Sequence, residues 1–220
     1  MTRATPPRSP GCAKTGKEET ELAGNYDMLF QQSRDHFLSF DQEMMIDAFR
    51  LEHDRENLYF RILGEDAALD RETGIITCGA KQVGFGASCS AYDILSRAEK
   101  RPQLAGRWVG IAELGGITAI SHSESLNDDL SALENDMERA KARCLSWGGI
   151  ERKQGDVSFI VPMFDFFPVW LQFWAGEEEL GIGARLNCLW DANTLDFMYY
   201  ETTWYARGYL QARLMGKEDG

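Results

Sequence analysis

The sequence lacks any apolar run of about 18 residues, which is the length that a membrane-spanning helix needs. We therefore expect no part of the chain to cross a bilayer. Its first twenty residues, MTRATPPRSPGCAKTGKEET, also lack the apolar core of a secretory signal peptide. These two absences predict a cytoplasmic protein.

Positive charge is scarce. The chain has 23 Lys and Arg against 35 Asp and Glu, which gives a formal net charge of -12. Nucleic-acid backbones and anionic membrane surfaces both need clustered basic side chains, and the predicted folded part has no such cluster. The sequence therefore predicts neither a nucleic-acid partner nor a membrane partner.

The usual signatures of metal and catalytic sites are missing as well. The five cysteines are odd in number, widely spaced and without a CxxC pair, so we expect free thiols rather than a disulfide framework or a metal site. No nucleophile elbow, HExxH, EF-hand or Walker pattern occurs. The three histidines, His36, His53 and His122, lie far apart with no recognisable ligand spacing.

What the chain does have is enough apolar content for one core, since 44% of its 220 residues are hydrophobic. Residues 1–22 contain almost no large apolar side chain and cannot offset the entropy of ordering. We predict a flexible tail over 1–22 and a single domain over 23–216.

Hydrophobic periodicity predicts both helices and strands in that domain. The stretch from Phe49 to Cys78 alternates with a period of two between turn signals, which predicts an antiparallel meander of three or four strands. Further strands are expected from the ranges 157–161, 169–174 and 185–190. Helical spacing predicts two long helices over 125–145 and 192–214 and smaller helices near 25–47 and 88–99. The expected fold is α+β, with a largely antiparallel sheet packed by these helices.

The stretch from Asp165 to Leu214 contains four of the six tryptophans, two predicted strands joined by an acidic turn, and an aromatic helix. Such an excess of aromatic residues beside carboxylates favours a pocket for a cofactor or small molecule. The residues expected to line it are Trp170, Trp174, Glu178, Trp204 and Tyr205.

Glu201 lies among the aromatic residues of the last helix. A carboxylate enclosed by aromatic rings can have a raised pKa and act as a general acid or base. The alternative is a boundary glutamate that accepts hydrogen bonds from a neighbouring loop.

Two other stretches have two interpretations each. The turn with Glu177, Glu178 and Glu179 could hold a hard cation or could simply be solvated. The glycine-rich run GAKQVGFGAS could bind phosphate at a helix N-terminus or could be a plain connector. Cys89 would then lie at that N-terminus, where thiol pKa values tend to fall, and is the cysteine expected to be reactive.

The run PVWLQFWAGEEELGIGARLNCLWDANTLDFMYYETTWYARGYL, together with NYDMLF, AYDIL and LAGRWVGIAEL, resembles domain-of-unknown-function family 3786 over most of residues 25–214. The resemblance implies a single cytosolic domain of the kind found mainly in anaerobic bacteria and archaea. Some relatives look like fusions to a cysteine-rich iron–sulfur segment of corrinoid proteins. This chain lacks that segment, and the family supplies no established catalytic residues.

Three functional hypotheses follow. The first is a cofactor- or small-molecule-binding accessory protein in anaerobic metabolism, with a corrinoid-type ligand among the candidates. The second is an enzyme that uses Glu201 for acid–base chemistry. The third is a protein-interaction module whose acidic surface docks a partner protein.

Overall fold

The computed structural model describes residues 15–115 and 129–217. The strands in these ranges are β1 (Glu52–His53), β2 (Asn57–Ile62), β3 (Glu65–Asp70), β4 (Ile76–Cys78), β5 (Lys81–Gln82), β6 (Trp108–Gly110), β7 (Ile150–Glu151), β8 (Val157–Phe164), β9 (Phe167–Trp174) and β10 (Arg185–Asp191). The helices are α1 (Thr15–Ser39), α2 (Gln42–Phe49), α3 (Phe85–Leu95), α4 (Ile111–Gly115), α5 (Ser131–Asn135), α6 (Met137–Ser146), α7 (Thr194–Phe197) and α8 (Tyr200–Leu214). Short 3₁₀ helices cover Ala98–Lys100 and Glu178–Leu180. The predicted α+β class is confirmed.

The strands form one antiparallel sheet with the order β5-β4-β3-β2-β8-β9-β10-β6. Two short strands lie off this path, since β1 pairs with β2 and β7 pairs with β8. The predicted meander is confirmed, because β1 to β4 pair in sequence order. The predicted hairpin is confirmed too, with Arg185 opposite Trp174 and Leu189 opposite Trp170.

The core lies on one face of this sheet. Phe167, Val169, Leu171 and Phe173 alternate along β9 and are all buried. Their cross-strand partners on β10, Leu186 and Cys188, are buried as well, together with the nearby Trp190. The buried residues of α3 and α8 belong to the same apolar cluster, so these helices cover this face.

Helices α3 and α8 cross at very short range, and glycine permits it. A Cβ on Gly86 would lie 2.9 Å from the carbonyl oxygen of Tyr205 and 3.0 Å from the Cβ of Tyr209. Gly86 of the glycine-rich run thus allows the close packing of these two helices. Neither Ser88 nor Ser90 caps α3, since the N-cap is Gly84 and both serines are buried inside the helix.

Both long predicted helices are interrupted. Asp136 leaves the helical conformation (φ -148, ψ 64), separates α5 from α6, and accepts a hydrogen bond from the N–H of Arg139. Residues 125–128 of the predicted helix lie outside the described ranges. At the C-terminal helix, Met198 is extended (φ -150, ψ 163) and separates α7 from α8. Asn193 is the N-cap of α7 but makes no capping hydrogen bond with its side chain, whereas the Asp191 carboxylate accepts the N–H of Asn193.

Helical structure begins at Thr15, inside the segment predicted to be a flexible tail. The last third of that tail is therefore the first two turns of α1. Among the described residues, no helix is both long and apolar enough to cross a membrane.

Candidate functional site

The predicted aromatic pocket is divided between the two faces of the sheet. Trp170 and Trp174 alternate with the buried residues of β9, so they lie on the face opposite the core, where both are half-buried. The Trp170 Nε1–H donates to Ser158 Oγ at 2.9 Å, and the Arg185 guanidinium lies 4.3 Å from the Trp174 ring centre. These contacts hold both indole rings on the outer face of the sheet.

Trp204 and Tyr205 lie on α8, which packs on the core face. The Tyr205 ring contacts Phe85 of α3 at 4.9 Å between ring centres. Trp204 and Arg207 line a cleft of about 300 Å³ beside the β10 residues 186–189. Strand alternation places Trp170 and Trp174 on the other face of the sheet, so the structure does not bring these four aromatic residues together.

Glu201 lies in the first turn of α8 with an exposed side chain. The enclosure by aromatic rings on which its acid–base role depended is therefore missing. Glu178 begins the 3₁₀ helix Glu178–Leu180, and its side chain lies outside what the structure describes. In the described part of the chain, no group of three or more His, Cys, Asp or Glu side chains could hold a metal ion.

The structure does not support the expectation that the Cys89 thiol is reactive. Cys89 is the fifth residue of α3 rather than its first, and it is buried. Burial raises the pKa of this thiol to about 11, outweighing the hydrogen bond with Ser33 that lowers it. Of the histidines, His36 and His53 are exposed and far apart, and His122 lies outside the described residues.

A large groove lies elsewhere, where the sheet splits. All six residues of β2 pair with β3 on one side. On its other side, β1 pairs with Leu58 and Tyr59, and β8 pairs only with Ile62. Between these contacts β2 has no strand neighbour, and a groove of about 640 Å³ opens there.

Phenylalanine rings form the floor of this groove. Phe166, in the turn between β8 and β9, contacts Phe49 at 4.9 Å, stacks on Phe164 at 5.6 Å and lies 6.1 Å from Phe60. Phe49 and Phe166 are only half-buried, so part of this aromatic surface faces the groove. Tyr59 forms a further wall and donates its hydroxyl to Asp54 at 2.7 Å, which raises the pKa of Tyr59. Such a surface suits a flat ring.

The rim carries charge of both signs. Asp165 accepts a hydrogen bond from the Arg61 N–H at 2.8 Å, which occupies the strand edge that no neighbour covers. The Arg61 side chain pairs with Asp66 at 3.0 Å. Glu52 and Arg50 are exposed at the opposite side of the groove.

Arg50 has an unusual backbone conformation. It follows the last residue of α2 with φ 54 and ψ 46, and its N–H donates to the carbonyl of Ile46. Glycine is the residue that normally takes this left-handed position, because other side chains are strained there. Arg50 therefore holds a strained backbone conformation at the edge of this groove.

Sequence reasoning missed this groove, and only a weak signal could have indicated it. The run Phe164-Asp165-Phe166-Phe167 places large apolar residues on both sides of a hairpin turn, where polar residues are usual. The splitting of β2 from β8 depends on pairing between residues about a hundred positions apart. No local pattern encodes that separation.

Comparison with known proteins places most of the chain in one family. Residues 41–213 match the family described as "Domain of unknown function (DUF3786)". No curated protein and no solved structure matches the chain. The matched range runs from the N-cap of α2 to the penultimate residue of α8, and so includes the whole sheet and both cavities. The chain therefore belongs to the DUF3786 family.

Proposed function

We propose that this protein binds a small aromatic compound carrying an anionic group, and that the ligand lies in the groove between β2 and the β8–β9 turn. The observation that carries the proposal is the combination of an aromatic floor with a strained arginine at the rim. A cavity of about 640 Å³ falls within the range of ligand pockets.

Each part of the groove has a role in this proposal. The rings of Phe49 and Phe166 offer apolar faces on which a planar ligand stacks. Arg50 supplies a guanidinium that can pair with a carboxylate or phosphate through two parallel hydrogen bonds. The Arg61 guanidinium already has a carboxylate partner, so Arg50 is the cation that the ligand's anionic group engages.

The accessory role in anaerobic metabolism, which the family resemblance implies, is part of this proposal, and a corrinoid-type ligand is the alternative that the binding panel tests. The groove favours a smaller ring than a corrinoid macrocycle, since its floor is built from two half-buried phenylalanines. An enzymatic role for Glu201 receives no support from its exposed position.

The test uses a binding panel and two matched variants. Benzoate, indole-3-acetate, flavin mononucleotide and cobalamin are screened by thermal shift, and any hit is measured by calorimetry. Arg50→Gly removes the guanidinium and also relieves the left-handed strain, so its stability should not fall. We expect its affinity for an aromatic anion to fall at least tenfold, because a charge-assisted hydrogen bond is lost.

Arg101→Gly is the control. Arg101 has the same left-handed conformation (φ 43), and it pairs with Asp47 rather than lining the groove. Wild-type affinity in Arg101→Gly with weakened binding in Arg50→Gly supports the proposal. Equal affinities in the two variants, or a panel in which only cobalamin binds, would contradict it.

A further inference from the structure

A third and smaller cavity lies where α1, the end of α3 and the start of α8 meet. It has a volume of about 120 Å³. It is lined by His36, Asp93, Ser96, Arg97, Glu99, Lys100 and Tyr199. None of these residues lines the groove described above. This cavity holds a few non-hydrogen atoms, on the scale of a single phosphate or carboxylate group.

The buried hydroxyl of Ser96 distinguishes this cavity from a shallow surface depression. The residue is 7% exposed, and its Oγ is buried without a hydrogen-bond partner among the described residues. A buried hydroxyl left unpaired costs roughly 1–3 kcal/mol, so such groups normally have a partner. Since Ser96 lines the cavity, a bound group in the cavity would provide that partner.

Arg97 supplies a cation on the adjacent wall. Its side chain is 11% exposed, and its guanidinium lies 4.0 Å above the ring centre of Tyr199. The Nε–H donates to Asp93 at 3.4 Å, and in the described part of the chain the two terminal nitrogens have no hydrogen-bond partner. The stacking fixes the plane of the guanidinium while these two nitrogens keep their hydrogens for a ligand.

The charge of Asp93 is compensated from several sides. Its Oδ1 takes the Arg97 bond, and its Oδ2 accepts from the Tyr199 N–H at 2.7 Å and from the Thr202 hydroxyl at 2.6 Å. The carboxylate thus caps the first turn of α8, whose dipole also offsets its charge. The remaining ionisable groups are Lys100 and His36, which favour an anion, and the exposed Glu99, which opposes one.

We infer that this cavity is a binding site for a small oxyanion, either inorganic phosphate or the phosphate group of a larger ligand. The Ser96 hydroxyl, the terminal nitrogens of Arg97 and the Lys100 ammonium donate to its oxygens. Aligned donors of these three kinds are what phosphate groups bind in proteins. The site needs no metal ion.

The experiment is a titration with inorganic phosphate, followed by amide NMR shifts and calorimetry, in wild type and three variants. We expect Ser96→Ala to weaken phosphate binding about tenfold, because it removes a hydrogen bond to a charged group. Its stability should be unchanged or higher, since the variant removes an unpartnered hydroxyl. Lys100 is exposed at the rim of the cavity, so Lys100→Gln should weaken phosphate binding without disturbing the core.

Ser90→Ala is the matched control. Ser90 is also buried and lies on α3, which Ser96 follows directly, but the Ser90 hydroxyl donates to the Gly86 carbonyl at 2.7 Å and does not line the cavity. We expect wild-type phosphate affinity in this variant. Absence of phosphate binding, or equal weakening in Ser90→Ala and Ser96→Ala, would overturn the inference. A phenyl phosphate that binds more tightly than inorganic phosphate identifies the phosphate group of a larger ligand as the occupant.

Discussion

Single carboxylates tie distant parts of this chain together. Asp191 is 1% exposed, and its two oxygens accept hydrogen bonds from the backbone N–H groups of Ala105, Gly106 and Asn193 at 2.7–2.9 Å. Asn193 adds a bond from its side-chain amide to the carbonyl of Gln103. These side-chain bonds, together with the backbone bond from the Ala192 N–H to the Arg107 carbonyl at 2.8 Å, hold the segment before β6 against the end of β10.

Replacing Asp191 with alanine should be costly. It removes the buried acceptor of three backbone hydrogen bonds, each of which contributes about 1 kcal/mol or more because the acceptor is charged, so we expect the free energy of unfolding to fall by roughly 3 kcal/mol. Urea denaturation measures this loss. Asp156→Ala is the comparison, because Asp156 is exposed and accepts only the Ala175 N–H at 2.9 Å in the described part of the chain. A loss below about 1 kcal/mol in Asp191→Ala would contradict this account.

At this scale the sequence predicted some residues well and others badly. Asp41 is the N-cap of α2, and its Oδ1 accepts the N–H groups of Glu43 and Met44. That contact is local, so a local pattern predicts it. Cys89 was misjudged because burial by α1 and α3 together decides the state of its thiol. Whether a side chain is buried depends on packing between elements, and a short stretch of sequence does not reveal that packing.

A helix that looks continuous in the sequence is interrupted where a side chain from another helix takes the hydrogen bonds of its backbone. The predicted helix over 192–214 looks continuous in sequence because its apolar residues keep helical spacing. In the structure, Asp93 of α3 accepts from the Tyr199 N–H and the Thr202 hydroxyl, which begins α8 afresh. The strands were predicted more accurately, because a period of two bounded by turn residues has few alternative interpretations.

Alanine substitutions of one glycine on α3 and one on α8 should change the free energy of unfolding in opposite directions. Gly86→Ala should lower the free energy of unfolding by about 1–3 kcal/mol, since its Cβ would meet the Tyr205 carbonyl oxygen at 2.9 Å. Gly208→Ala, on α8, should raise it by roughly 0.5–1 kcal/mol, because no atom lies within 4 Å and alanine favours the helix. Thermal denaturation of both variants tests the pair. A stabilising Gly86→Ala would show that the helices do not cross at this distance.

At the scale of the whole molecule, the core carries ionisable groups that stay neutral. Burial raises the pKa of Cys89 to about 11 and that of Cys144 to about 12, and it raises the pKa of Tyr92 as well. These groups titrate earlier in the unfolded chain, where the ordinary thiol value is 9.0. Their stabilising effect is fully present below the unfolded pKa and is lost as the pH rises toward the folded pKa.

We therefore expect stability to fall between about pH 9 and pH 11. The buried Cys89 thiol alone should account for roughly 2–3 kcal/mol of that loss, at about 1.4 kcal/mol per pKa unit. Chemical denaturation at successive pH values gives the slope for wild type and for Cys89→Ala. Each curve is referred to its own value at pH 7, which removes the cost of the small cavity. Identical slopes for the two proteins would refute the assignment to Cys89.

The split in the sheet is also a property of the whole chain. The sequence predicted the meander, the hairpin and their antiparallel pairing, and these follow from local alternation. It did not predict that β2 and β8 meet at one residue pair and then diverge, because that geometry depends on how β1 and the β8–β9 turn fill the gap. The groove exists only once those elements are assembled.

The location of a bound ligand tests the central claim most directly. Amide NMR spectra of the protein titrated with an aromatic carboxylate from the binding panel would show which residues respond. The proposed function predicts the largest shifts at Phe49–Glu52, Tyr59–Arg61 and Asp165–Phe166, around the floor and rim of the groove. Shifts that cluster instead around Trp204 and Arg207, or that are absent at saturating ligand, would contradict it.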